Sequence, residues 1–211
     1  MILEDRILLL IVIWDDPRGL MRILEQDTVK QFDGIMVIDG KFKGWEGDPE
    51  FNEDECKNII TDWAETCKVP CWYESTEGRT ESQKRNFAFF KAYKTGFTWC
   101  LVCDSDEIPW FNKDMFDEEA QNLRRTDLGC FSVILNNYGL IQRRPRLFRL
   151  REQPYLINNH SEIMSTVDGR DMADDLTKLK YDIQSIELLH NKEFYSKYRF
   201  KSRNKYMATK H

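Results

Sequence analysis

The residues best suited to chemistry in this chain lie in one short run, Asp104-Ser105-Asp106, its only Asp-x-Asp. Two carboxylates one residue apart on a turn can hold a hard cation such as Mg²⁺ or Mn²⁺ through oxygen ligands, and such a cation can bridge a diphosphate. The plain alternative is a charged turn or helix cap, since the tripeptide arises by chance in acidic chains. Its placement argues for the site. The apolar run Phe97 to Cys103 leads straight into Asp104, and Glu107-Ile108-Pro109 predicts a break in the chain just beyond Asp106.

Other residue types extend the list. His190 follows the apolar run Ile186-Glu187-Leu188-Leu189, where a neutral imidazole would complete a metal site or serve as a hydrogen-bonded edge histidine. The five arginines between Arg143 and Arg151 alternate with Pro145, Leu147 and Phe148 as in a strand with one polar face, and one or two of them can fork onto phosphate. Beyond Lys192, Tyr195, Tyr198, Phe200 and Tyr206 interleave with Lys197, Arg199, Lys201, Arg203 and Lys205. That pattern suits an amphipathic helix docked on the domain, or one meeting a nucleic acid or an anionic membrane. Cys100-Leu101-Val102-Cys103 has the spacing of a zinc or redox half-site, but no second C-x-x-C completes it, and a buried strand accounts for it.

The elements that would position these residues alternate in the first half of the chain. Ile7–Ile13 is a continuous apolar run, as a strand covered on both faces shows. Asp15-Asp16-Pro17 starts a helix, with an Asp cap and Pro in its first turn. Gly34–Ile38 reads as a second buried strand ending at Asp39. Cys56, Ile59, Ile60, Trp63, Ala64 and Cys67 lie on one face of a helix that an Asn52/Glu55 capping box would open. Val69–Tyr73 is a short strand, and Thr80-Glu81-Ser82-Gln83 is a capping box opening a helix that runs to Gly96. The second half reads as a helix over 114–124, strands over 130–135, 146–150 and 183–189, and helices over 171–180 and 193–207. The fold class is therefore α/β: a mostly parallel central sheet flanked by helices, with a Rossmann-like first half and a mixed second half. In open α/β sheets ligands bind at the carboxyl ends of the strands, where Asp15, Asp39, Glu74 and Asp104 would converge and a cation would relieve their repulsion.

Bulk properties agree with one domain. The chain has 211 residues, 41% of them apolar, enough to build a packed core. A net charge of −5 argues against a nucleic-acid partner bound over the whole surface. Ile7 to Trp14 is too short to span a membrane and lacks the flanks of a signal peptide, so the expected location is cytoplasmic.

The ordered set resembles the family 2-like glycosyltransferases of the GT-A fold. The resemblance rests on Glu81-Ser-Gln-Lys-Arg-Asn-Phe-Ala, Ala92, Phe97-Thr-Trp-Cys-Leu-Val-Cys-Asp-Ser-Asp-Glu-Ile-Pro, Arg144-Pro-Arg-Leu-Phe-Arg149, His160-Ser161-Glu162 and His190, and it runs from about residue 7 to about residue 195. It implies a single GT-A domain over 1–211, with a nucleotide-sugar half to about 110 and an acceptor half from about 111 that ends in the basic helix. It implies that Asp39 contacts the nucleoside, Arg85 the nucleotide or its phosphates, and Asp104 the ribose or the metal. Asp106 ligates Mn²⁺ or Mg²⁺, His190 is a further metal or diphosphate contact, and Glu162 is the general base. The partners implied are a nucleotide-diphospho-sugar donor and a glycan, protein or lipid acceptor, with peripheral membrane contact through the tail. The expected activity is hexosyl transfer by metal-dependent, inverting displacement. Two departures stand out: the first strand ends in Ile13-Trp14-Asp15-Asp16-Pro17, and Ser161 is inserted before Glu162. Two other readings compete. A nucleotidyltransferase-like enzyme would want a Gly-rich phosphate loop after the first strand, which is absent here. A non-catalytic nucleic-acid or anion binder would work through the basic tail alone.

Overall fold

The computed structural model describes residues 5–14, 16–41, 43, 54–126, 129–137, 139–150, 154–157, 162–165 and 183–190. The expected helices over 171–180 and 193–207, with Asp15, Asn52, His160 and Ser161, lie outside the described residues.

Strands β1 (Ile7–Val12), β2 (Gly34–Asp39), β3 (Cys71–Ser75) and β4 (Trp99–Asp104) form the parallel part of an eight-stranded sheet. They alternate with helices α1 (Pro17–Leu24), α2 (Glu55–Cys67) and α3 (Glu81–Lys94), and a 3₁₀ turn spans Asp27–Gln31. After β4 come β5 (Glu107–Phe111), α4 (Lys113–Leu123), β6 (Cys130–Asn137), β7 (Leu140–Arg149) and β10 (Ile186–His190). Between β7 and β10, β8 (Pro154–Ile157) and β9 (Glu162–Ser165) make a separate antiparallel pair, with β8 lying against α3. The sheet order is β3-β2-β1-β4-β7-β6-β10-β5. Beyond β4 the sheet is mixed: β4/β7, β7/β6 and β10/β5 are antiparallel, and β10/β6 is parallel. Among the described residues four of the seven pairings are parallel, so the sheet is mostly parallel as expected, and it is mixed beyond β4.

The apolar run of β1 is buried along its whole length because both faces are covered. Ile7, Leu9 and Ile11 pack with Leu20, Ile23, Cys56, Ile60, Phe116 and Ala120, on the side of α1, α2 and α4. Leu8, Leu10 and Val12 pack with Ala88, Phe89 and Ala92 of α3 on the other. Side-chain alternation along β4 puts Cys100 in the α3 cluster and Cys103 in the opposite one. The C-x-x-C pair therefore points to opposite faces of the sheet, and all six cysteines are free thiols.

Local signals set the helix starts. Asp16 caps α1 by accepting a hydrogen bond from the Gly19 N–H at 3.0 Å. In the box that opens α3, the Gln83 N–H donates to Thr80 Oγ1 at 3.3 Å and the Thr80 N–H to Gln83 Oε1 at 2.9 Å. The start of α2 differs from expectation. Asp54 holds the N-cap position with no side-chain cap bond, and Glu55 is the first helical residue.

Two further expectations change. Glu107-Ile108-Pro109 does not break the chain but opens β5. Pro109 is tolerated because β5 is an edge strand, where a missing N–H is not needed by a neighbour. The Pro109 carbonyl accepts from the Thr28 hydroxyl at 3.0 Å. Strand β7 begins at Leu140, six residues before the expected start, because it is the return arm of a hairpin turning at Gly139 (φ 82°). It opens on two solvent-exposed apolar residues, Leu140 and Ile141, followed by Gln142, Arg143 and Arg144, so no buried apolar alternation marks its start.

Candidate functional site

The strand order places β1 between β2 on one side and β4 on the other, so the connections leaving the carboxyl ends of β1 and β4 diverge. Such a reversal opens a crevice in an α/β sheet. Asp104 closes β4 there, in register with Val12 of β1. Gly19, in the first turn of α1, lets that turn reach the Asp-x-Asp loop: a Cβ on it would lie 2.7 Å from the Ser105 carbonyl oxygen. Gly40, just past β2, has φ +120°, and a Cβ there would lie 1.7 Å from the Thr76 carbonyl oxygen. Both glycines are read as close-approach positions at the strand ends.

Asp104 is held from both sides. Arg85 Nη2 of α3 donates to its Oδ1 at 2.7 Å, and Arg146 Nη2 of β7 donates to its Oδ2 at 2.8 Å. The same Arg146 nitrogen donates to Glu107 Oε1 at 2.5 Å, and the Asp104 N–H donates to Glu107 Oε2 at 2.9 Å. Glu107 is 2% exposed, so its charge is tolerated only within this set. Burial opposes the charge of Asp104, but Arg146 and Arg85 outweigh it and hold the carboxyl well below the usual carboxylate range. Burial dominates at Glu107 and pushes its proton affinity up to about 7, against the pull of Arg146. Burial works against the Arg146 charge as well, yet Asp104 and Glu107 hold its guanidinium firmly protonated.

The stability consequence has a definite sign. Glu107 binds its proton more tightly folded than unfolded, where its value is 4.5. Its contribution is therefore fully present below about 4.5 and is lost as pH rises through about 7. Asp104 acts in the opposite sense, its contribution being lost as pH falls below its unfolded value of 3.8. Glu107→Gln is expected to flatten the decline in melting temperature between pH 5 and pH 8. An unchanged slope in thermal melts over that range would place the titration elsewhere.

Asp106 and His190 form a second pair. His190, the last residue of β10, lies in register with Glu107 of β5, and its Nε2 is 2.9 Å from Asp106 Oδ2. Ligands at right angles on an ion with bonds of about 2.1 Å lie about 3 Å apart, so this oxygen–nitrogen pair has the spacing of two neighbouring ligands of one Mg²⁺- or Mn²⁺-sized cation. The same 2.9 Å is the length of an ordinary hydrogen bond, and Asp106 and His190 are the two residues here that could hold a cation. They do not gather Asp104 into the same set, because both oxygens of Asp104 are engaged by guanidiniums. Among the described residues no three His, Cys, Asp or Glu side chains form a metal-sized cluster.

Asp39 ends β2. Its Oδ1 accepts from the Gly40 N–H at 2.6 Å and its Oδ2 from the Tyr73 hydroxyl at 3.2 Å. Lys84, fully buried on α3, donates to the Ile13 carbonyl and, at 2.7 Å, to the Gly40 carbonyl, tying the ends of β1 and β2 together. Glu74 does not join the acidic group: its Oε1 accepts from Lys91 of α3 at 2.7 Å. Asp16 is taken up as the α1 cap, and the β1–α1 connection is not Gly-rich. Glu162 opens β9, opposite Ile157 of β8, with its backbone on the pair that borders α3.

Sequence reading missed Glu107, Arg146, Lys84 and Tyr73 as site residues. Glu107 was absorbed into the expected chain break, and Arg146 was one of five arginines without a feature to single it out. The Glu following Asp-x-Asp and the Arg-x-Arg-Leu-Phe-Arg segment held the signal, since a buried carboxylate needs a cation and an arginine on an inward strand position can supply it.

No protein-family model matches the chain. No curated protein matches it either. Among solved structures it is similar to S. aureus TarS 1-349, at 14% identity and a TM-score of 0.47, over 69% of this chain and 47% of that one. The same protein in complex with UDP matches at 15% identity and a TM-score of 0.39, over 63% and 35%. Its complex with UDP-GlcNAc matches at 17% and 0.37, over 63% and 34%. The chain spans less than half the length of these structures. Among the described residues no helix is long and apolar enough to cross a membrane.

Proposed function

We propose that this chain is a metal-dependent glycosyltransferase that moves a hexose from a nucleotide-diphospho-sugar to an acceptor hydroxyl by inverting displacement. The observation that carries the reading is the pairing of Asp106 with His190 beside a charge-held Asp104 at the reversal point of the sheet. In this reading residues to about 110 form the donor half and residues from about 111 the acceptor half.

Each residue has a task in this reading. Asp39, braced by Tyr73 and Gly40, faces the nucleoside as an acceptor of hydroxyl or ring N–H hydrogen bonds. Lys84 ties the ends of β1 and β2 together, fixing their spacing beside Asp39. Asp106 and His190 would hold the divalent ion, Mn²⁺ or Mg²⁺, which would supply Lewis-acid stabilisation to the departing diphosphate. Glu162 takes the proton of the acceptor hydroxyl as it attacks the anomeric carbon on the side away from the diphosphate.

The reading is tested by titrating nucleotide sugars with and without Mn²⁺. UDP and UDP-GlcNAc, the ligands of the two TarS complexes, are the first probes. Absence of binding across a panel of nucleotide sugars, or binding indifferent to metal, would overturn it. For the base, Glu162→Gln is expected to lower transfer by roughly 10²- to 10⁴-fold while donor affinity changes little. Unaltered transfer moves the base to another carboxylate.

A further inference from the structure

Asp-x-Asp carboxylates are ordinarily expected to face a cation or ribose, and arginines near them to face phosphate. Here the first Asp and the nearest arginines face each other. Arg85 spends its Nη2 on Asp104 at 2.7 Å, with Glu81 at 3.6 Å, and its side chain is 9% exposed. Arg146 places one nitrogen between Asp104 and Glu107, and its side chain is 16% exposed. Two guanidiniums thus meet three carboxylates, Asp104, Glu107 and, at 3.6 Å, Glu81, so the positive charge of both is already matched within the set. These bonds use only Nη2 of each arginine, so donors remain, but they sit on side chains 9% and 16% exposed whose charge is already matched, and a diphosphate entering the crevice would meet neutralised guanidiniums beside a carboxylate 25% exposed.

We propose, building on the transferase reading, that Asp104 is an internal counter-anion and positioning residue. Its carboxylate, buttressed by Glu107 through Arg146, neutralises the guanidiniums that a diphosphate would otherwise recruit, so the donor's phosphate charge would be met by a cation held at Asp106 and His190 and not by Arg85. Asp104 is then not a metal ligand. Its removal should create, not destroy, affinity for a bare diphosphate.

Asp104→Asn is the informative change. An amide can accept from one guanidinium, but its NH₂ group then faces the other as donor against donor, so one arginine is released and the set gains a positive charge. The probes are inorganic pyrophosphate in the presence of chelator, followed by calorimetry at pH 8, and Mn²⁺ alone, followed by electron paramagnetic resonance. Asp104→Asn is expected to raise metal-free pyrophosphate affinity at least fivefold and to leave Mn²⁺ affinity within fivefold of wild type. A smaller gain, or a larger loss of Mn²⁺, overturns the inference. The wild-type protein supplies a check independent of any variant. The side-chain Nε–H signals of Arg85 and Arg146 in ¹⁵N spectra should stay in place when pyrophosphate is added without metal, and movement of the Arg85 signal on binding would make it a phosphate ligand. Neither readout needs a nucleotide. A wild type that binds no nucleotide sugar overturns the transferase reading, and failure of the pyrophosphate and Mn²⁺ results overturns the counter-anion assignment alone.

Discussion

Asp106→Ala is expected to lower Mn²⁺-dependent sugar transfer by about 10³-fold, the equivalent of about 4 kcal/mol of lost stabilisation of the departing diphosphate. The expectation rests on the spacing of Asp106 Oδ2 and His190 Nε2, at 2.9 Å. That distance suits two ligands of one ion, and equally an ordinary hydrogen bond. The variant separates these roles. A hydrogen bond at a site 12% to 15% exposed contributes about 1 kcal/mol, so its loss would lower the melting temperature slightly and leave donor binding intact. A ligand role instead predicts that metal-dependent donor binding disappears while the fold persists, and that His190→Ala weakens binding in the same direction. Retention of metal-dependent binding in Asp106→Ala would remove the ion from this pair.

Arg146→Met carries the largest expected effect on stability. Arg146 is the one group joining Asp104 of β4 to Glu107 of β5 through hydrogen bonds from a single nitrogen. Removing it leaves a 2% exposed carboxylate facing another with no cation between them. Breaking a buried ion pair from one side costs about 3–5 kcal/mol. For a domain of this size the melting temperature should fall by roughly 10–15 °C. The cost should shrink when Glu107→Gln is added, because the neutral amide no longer strands a charge, so the double variant should be more stable than the sum of the two single changes predicts. A melting temperature within about 2 °C of wild type would show that the network does not hold the turn.

How much was legible before the fold was known differs between the two halves of the chain. The continuous apolar runs of β1, β2 and β4 were readable because strands buried on both faces need apolar residues at every position. The cap of α1 and the box of α3 were readable because they are contacts between residues three apart. The address of Asp104 at a strand end followed from the same local pattern. The mixed half was harder. Strand β7 begins with exposed Leu140 and Ile141 and runs on through exposed Arg143 and Arg144, so it lacks a buried apolar face at its start, and β5 carries a proline that only an edge strand accepts.

Residue types, their order and the strand–helix alternation were therefore set by local chemistry that a linear chain displays. Tertiary structure alone decided which charges meet. Asp104 is separated from Arg85 by 19 residues and from Arg146 by 42, and Asp106 from His190 by 84. No local propensity encodes contacts at such separations. They depend on β7 lying next to β4 and on β10 lying next to β5, pairings set by long-range packing of the sheet. That packing divided the Asp-x-Asp pair, giving Asp104 to two arginines and Asp106 to a histidine, where the linear spacing had put both within reach of one cation.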